Sequence, residues 1–275
     1  MCKFQIFRTV RAQQNERMNA DVLFASHVSP LLLLVAAVFV LAGLVKGVIG
    51  LGLPTISMAL LGSMMSPAEA AALLVVPSLL TNVWQWQPWR SLRGGVTRRM
   101  APMQAGVVAG TLAGAWTIGA PVGSWAVVCL GAMLIVYAAW VLAGARLSVA
   151  PHAERRLGPV VGASTGLITA ATGVFVVPAV PYLQALGLHR DALMQAMGLS
   201  FTVSTVALAA GLYLNGQLPT AAVRESLLML LPALIGMGLG ARLRRRISQE
   251  RFRACFLASL LVLGGSMVVR ELLPH

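Results

Sequence analysis

Apolar positions fall along this chain in long blocks, and short polar gaps separate one block from the next. A helix needs about 20 predominantly apolar residues to cross the hydrocarbon core of a bilayer. By that rule the pattern predicts eight hydrophobic segments, at residues 31–62, 67–84, 101–119, 122–144, 158–187, 192–214, 219–240 and 254–272. The first and fifth are too long for one straight crossing, and glycine and proline interrupt both. Residues 1–29 are polar, with Lys3, Arg8, Arg11 and Arg17 against Glu16 and Asp21. A basic start before an apolar run resembles a signal peptide, but a similar run recurs at 158–187, where no signal could sit. Met18 is an alternative start that would remove those cations.

The chain repeats itself. "AGLVKG" (42–47) aligns with "VGASTG" (161–166), Pro54 and "SMALLG" with Pro178 and "YLQALG", and "SPAEAA" (66–71) with "HRDALM" (189–194). Two halves of four segments follow, 30–144 and 158–272, joined by a basic linker at 145–157. Equivalent loops carry opposite charge. Arg90, Arg93, Arg98 and Arg99 lie between segments two and three, while "IGAPVG" between three and four has no charge. In the second half "NGQLPT" is uncharged, and "ARLRRRISQERFR" holds six arginines. Positively charged loops stay in the cytoplasm, so the halves are expected to be inverted relative to each other. Placing both 145–157 (Arg146, Arg155, Arg156) and 241–253 inside requires the fifth segment to cross twice or fail to cross. By symmetry the first behaves likewise, which puts both chain ends outside.

Composition agrees. Hydrophobic residues make up 58% of the 275 positions and charged residues 11%, against about a quarter charged in soluble domains. The net charge of +13 sits in the interhelical gaps rather than along a nucleic-acid-binding stripe. Cys2, Cys129 and Cys255 are far apart, without CxxC or a nearby histidine, so no disulfide framework or metal site is expected. His27, His152, His189 and His275 stand singly, and neither HExxH nor GxSxG occurs. No catalytic residue, metal or cofactor is expected, and the chain does not read as an enzyme. The expected fold is an all-α integral membrane protein of two inverted repeats, with the first segment of each repeat broken into half-helices.

The broken segments are the candidate site. Irregular backbone survives at membrane depth only inside protein or beside a water-filled cavity, and matched breaks in two halves point to a transporter's substrate site. Gly50, Gly52 and Pro54 mark the first break, with Thr55 beside it; Thr169, Thr172, Gly173 and Pro178 mark the second. Proline suits the first turn of a new helix, and free N–H groups at such a start attract anions. Lys46 is the only cation well inside an apolar segment, so it is a substrate ligand or counter-charge, against the alternative that it snorkels to an interface. Its helical offsets from Gly43 and Gly50 place it on the glycine face, pointing into the bundle. Gly43-xxx-Gly47 and Gly162-xxx-Gly166 also suit close helix packing. Asn82, Gln104, Gln195, Ser200 and Thr202 are candidates to line a path. Glu69 and Asp191 are coupling candidates, although acidic residues in a first helical turn are ordinary dipole partners. Trp84, Trp86 and Trp89 read as an interfacial belt.

"AGLVKGVIGLGLPTISMALLG" and "GASTGLITAATGVFVVPAVPYLQALGL" resemble the two repeated motifs of the TauE/SafE family of sulfite exporters. The resemblance covers roughly residues 35 to 270. It implies a multi-pass protein of the bacterial inner membrane that exports or exchanges small anions such as sulfite, sulfonates or carboxylates. The expected partners are a small anionic substrate and the lipid bilayer, with a homo-oligomer left open and no nucleic acid. The alternatives are a permease subunit needing a partner ATPase, and a membrane-embedded sulfur-metabolism enzyme or relay partner.

Overall fold

The computed structural model describes residues 30–86, 95–144 and 147–273. The polar segment 1–29 with Met18, Cys2 and His27, the loop residues Trp89, Arg90 and Arg93, and Arg146 and His275 lie outside the described residues. Among those described, every regular element is a helix. They are α1 (Pro30–Ile49), α2 (Leu53–Leu61), α3 (Pro67–Trp86), α4 (Val96–Thr117) and α5 (Ser124–Leu142), then α6 (Pro151–Thr172), α7 (Ala179–Ala185), α8 (Arg190–Leu214), α9 (Thr220–Leu243) and α10 (Gln249–Leu272). Contacts divide the chain at Ala37. Pro30–Ala37 begins α1 without a charged residue; the packing below belongs to Val38 onward.

Each over-long segment resolves into a long helix followed by a short one. The pieces are unequal: α1 has 20 residues and α6 has 22, against nine in α2 and seven in α7. At 1.5 Å per residue, α1 and α6 are each about 30 Å long, enough to cross a bilayer. Glycine ends them. Gly50 and Gly52 take φ of 84° and 114°, and Gly173 takes 70°, left-handed values that side chains with a Cβ rarely adopt. Pro54 stands in the first turn of α2, as expected. Among the described residues, six helices are long and apolar enough to cross a membrane: α1, α3, α5, α8, α9 and α10. The length of α4 is sufficient, but Arg98, Arg99 and Gln104 make it polar. The start of α6, at Pro151, runs through half of the stretch read as linker and takes in Glu154, Arg155 and Arg156.

Small residues set the packing. Along α1, Gly43 and Gly47 lie against the backbone of Ala233 and Met237 on α9, and Gly236 and Gly240 return the contact to Val40 and Leu44. Along α6, Gly162 and Gly166 lie against Met103 and Val107 on α4, and Gly106 and Gly110 return it to Pro159 and Ala163. In both pairs the residue numbers rise together, so the helices run parallel at backbone contact. The remaining large contacts join α3 to α8, α5 to α10, α4 to α8 and α3 to α9. Exchanging the two halves maps this set of pairings onto itself. Packing therefore accounts for Gly43, Gly47, Gly162 and Gly166, without any ligand.

Pro77 interrupts α3 and leaves the carbonyl of Leu73 without its usual helical donor. Ser226 of α9 repairs the fault: its hydroxyl donates to Leu73 O at 2.8 Å and accepts from Val76 N at 3.0 Å. At the start of the same helix, Ser66 and Glu69 form a capping box, with Ser66 N and Oγ donating to Glu69 Oε2 at 3.0 and 2.9 Å.

Candidate functional site

The two breaks lie at opposite ends of the helices. Gly50 abuts Met194 in the first turns of α8. Ala170, three residues before Gly173, lines a small cavity with Leu208, Gly211 and Asn215 at the last turns of α8, a 25-residue helix spanning about 37 Å. The first break therefore lies beside the end of α9 that leads into Arg242–Arg246. The second lies beside the uncharged loop after α4, where Gly119 and Pro121 line the same small cavity. Gly173 itself packs against Met58 of α2 and Ala71 of α3, so each short helix reaches back toward the other end.

One turn before the first break, Lys46 is buried, at 5% exposure, and it is the one buried charged side chain among the described residues. It points inward rather than snorkelling. Its partners are on α3, whereas the glycine face of α1 meets α9. The ammonium donates to Thr81 Oγ1 at 2.9 Å and to Asn82 Oδ1. Asn82 Nδ2 donates to Ser78 Oγ at 2.9 Å, and Ser78 Oγ pairs with Thr205 Oγ1 of α8 at 3.1 Å. Thr81 Oγ1 donates back to Pro77 O at 2.7 Å. A polar chain thus ties α1, α3 and α8 together at the level of the broken helix, and every partner of the ammonium in it is a neutral oxygen.

Several buried polar atoms near the core have no hydrogen-bond partner: Ser57 Oγ on α2, Ser200 Oγ and Ser204 Oγ on α8, and the Gln104 amide on α4. Ser200 and Ser204 are one turn apart and share a face of α8. An unpartnered buried polar atom costs about 1–3 kcal/mol, so a chain that keeps several in its interior leaves donors and acceptors for water or solute. Ser57, Ser204, Thr81 and Ser78 escaped the sequence reading; the one signal for Ser78 and Ser204 was their position four residues from Asn82 and Ser200 on the same helix face.

The other sequence candidates fall in distinct places. Pro54 and Thr55 are buried at the start of α2, where Gly52 is the N-cap and no side chain caps the helix. Thr169 and Thr172 donate their hydroxyls to Thr165 O and Ile168 O, each at 2.7 Å in their own helix. Thr172 Oγ1 also accepts from Val174 N at 3.2 Å and so caps the end of α6. Pro178 is the N-cap residue of α7. Glu69 and Asp191 are exposed in the first turns of α3 and α8. Gln195 and Thr202 are buried on α8, and Thr202 Oγ1 donates to Gly198 O at 2.7 Å. No cluster of three metal-ligating side chains occurs among the described residues.

No curated protein and no solved structure matches the chain. The family model described as sulfite exporter TauE/SafE matches residues 35–267. That span contains both glycine-marked breaks, the buried lysine and all six membrane-length helices almost in full, and on it the chain belongs to the sulfite exporter TauE/SafE family, as a multi-pass membrane protein of a transporter family.

Proposed function

We propose that this chain is a secondary transporter that moves a small anion, such as sulfite, a sulfonate or a small carboxylate, outward across the cytoplasmic membrane by alternating access. The observation that carries the reading is Lys46. When protonated, a buried amine with only neutral partners carries a charge that nothing nearby balances, and its desolvation costs several kcal/mol. A permeant anion arriving beside it offsets that cost, and the anion finds there what hydrocarbon denies it. The start of α2, seven positions after Lys46 and capped by no side chain, adds backbone N–H groups and the positive end of a helix dipole to the same break.

The two halves act as inverted repeats in this reading. Support comes from the parallel pairs α1 with α9 and α4 with α6, which put the first break at the arginine-rich end and the second at the opposite end. One break then opens toward each side of the membrane, and Ser57, Ser200, Ser204 and Gln104 line the way between. Exchange of access requires only that the short helices α2 and α7 shift against the rigid glycine seams.

Flux of labelled sulfite into proteoliposomes tests the proposal, with thiosulfate, taurine and small carboxylates as competitors. Uptake driven by an anion or proton gradient, with no ATP present, is the expected result. Absence of any ATP-independent flux with all these anions overturns it and favours a permease subunit that needs an ATPase.

A further inference from the structure

We propose that the arginine-bearing end of α9 binds an anionic phospholipid, with the phosphate held by Arg242, Arg245 and Arg246 and an acyl chain laid along the exposed face of the same helix. Membrane orientation alone calls for arginines here, but it does not call for their arrangement. Leu239, Ala241, Arg242, Leu243, Arg245 and Arg246 line an open cleft of about 700 Å³, so three guanidinium groups and three apolar side chains share one concavity. None of these arginines has an ion-pair partner among the described residues, where the salt bridge is Arg99 to Glu154. Planar guanidinium forks match phosphate oxygens, and several together hold one phosphate from more than one side.

The helix leading into the cleft presents an apolar track. Leu228, Leu231, Ile235 and Leu239 are all exposed, by 61%, 66%, 51% and 44%, and their spacing of three and four carries one stripe on to Arg242, with Arg245 and Arg246 in the turn just beyond the helix. Within it sits Gly238. Its neighbours Gly236 and Gly240 are required for contact with α1, but a side chain at Gly238 would meet open space. An exposed glycine inside a helix is destabilising relative to alanine, and here it buys a shallow notch one turn from Arg242. Notch, leucine track and arginine cleft together have the form of an acyl chain ending in a phosphate. The helix C-terminus opposes an anion through its dipole, yet its last carbonyls are occupied: Arg244, Arg245 and Arg246 N–H groups donate to Gly240, Arg242 and Leu243.

Native mass spectrometry of the full chain, released from nanodiscs of phosphatidylcholine with a minor share of phosphatidylglycerol, tests the site. The wild type is expected to retain phosphatidylglycerol in preference to phosphatidylcholine. Each surface arginine is worth about five-fold in affinity for an anionic lipid, so the triple variant R242Q/R245Q/R246Q loses that preference by on the order of 100-fold. Gly238→Leu fills the notch, leaves every charge in place and lowers retention of the lipid. It decides the matter if the triple variant does not fold. Soluble glycerol phosphate at the lipid's concentration leaves the bound lipid in place; displacement by it would assign the cleft to a free phosphate ester and overturn the lipid site. Equal retention of both lipids by the wild type, or unchanged retention in the folded variants, overturns the proposal as well.

Discussion

Lys46 Nζ donates to the hydroxyl oxygen of Thr81 over 2.9 Å, with a neutral oxygen where a buried ammonium ordinarily meets a carboxylate. An arrangement of this kind is costly for the fold and useful for an anion. Lys46→Met keeps the length of the side chain and removes its charge. Met removes a buried charge whose desolvation costs several kcal/mol and leaves Asn82 Oδ1 without a donor at about 1–3 kcal/mol, so the variant is expected to unfold at the same temperature as wild type or higher. Its sulfite flux in proteoliposomes falls at least ten-fold on the order-of-magnitude loss of one charge-assisted contact. Undiminished flux removes Lys46 from the site.

Asn82 provides the second test of the same network. It accepts from the lysine and donates to Ser78 Oγ, so Asn82→Leu leaves a buried ammonium short of an acceptor. The loss is about 1.5–3 kcal/mol of stability for a hydrogen bond to a charged group. In the Lys46→Met background the same substitution costs much less, because no ammonium is left to satisfy. Equal costs in the two backgrounds, measured by thermal unfolding in detergent, would mean that the contact contributes nothing.

Ser226 carries a prediction that concerns the fold alone. Its hydroxyl occupies the gap that Pro77 opens at Leu73 O and also accepts from Val76 N. Ser226→Ala leaves Leu73 O without a donor at about 1–3 kcal/mol. With Pro77→Ala in place, residue 77 regains an N–H for Leu73 O, and the serine matters less. A double-mutant cycle on thermal stability is expected to show a favourable coupling between wild-type Pro77 and Ser226; additive losses would separate them.

Much of this architecture was legible in the sequence because its signals are local. The long apolar helices, the breaks at Gly50–Pro54 and Gly173–Pro178, and the acidic residues that open α3 and α8, Glu69 and Asp191, depend on neighbours within a few residues. The partners of Lys46 were not legible, since Thr81 and Asn82 are 35 and 36 positions away and any polar residue on a facing helix was an equal candidate. The unequal pieces of each broken segment were hidden because glycine marks where a helix ends, not how far its neighbour continues. Thr169 and Thr172 illustrate a third limit. A threonine hydroxyl in a helix can bond the carbonyl four residues back, and both do so, a choice that side-chain type alone does not reveal.

The two glycine seams predict paired effects. A Cβ at Gly43 would collide with the carbonyl of Ala233, and one at Gly162 with the carbonyl of Met103; in both cases backbone must move. Gly43→Ala and Gly162→Ala are each expected to cost about 1–3 kcal/mol, the usual toll of overpacking. Gly265 on α10 faces open space, so Gly265→Ala is neutral or stabilising by up to ~1 kcal/mol. Thermal unfolding of the three variants checks the contrast, and a harmless Gly43→Ala would show that α1 and α9 are not in backbone contact.

The parallel pairs fix which loops share a side, and that is open to direct measurement. Ala68 N donates to Pro121 O at 3.1 Å, and Asn215 Nδ2 donates to Ala115 O at 3.0 Å, so the start of α3, the loop after α4 and the loop after α8 gather at one end. At the other end, Val149 N donates to Ala185 O at 3.0 Å, Arg99 pairs with Glu154 and Gly198 packs against Trp86 N. With Cys2, Cys129 and Cys255 replaced by serine, single cysteines at Ala120 and Gln217 are expected to react with a membrane-impermeant maleimide from the outside of intact cells. Cysteines at Val149 and Ser248 react only after the membrane is opened. Loops 118–123 and 215–219 occupy different positions within the two halves, so their shared side is the direct signature of inversion. Labelling of Ala120→Cys and Gln217→Cys from opposite sides would rule out inverted halves, and with them one break facing each side of the membrane.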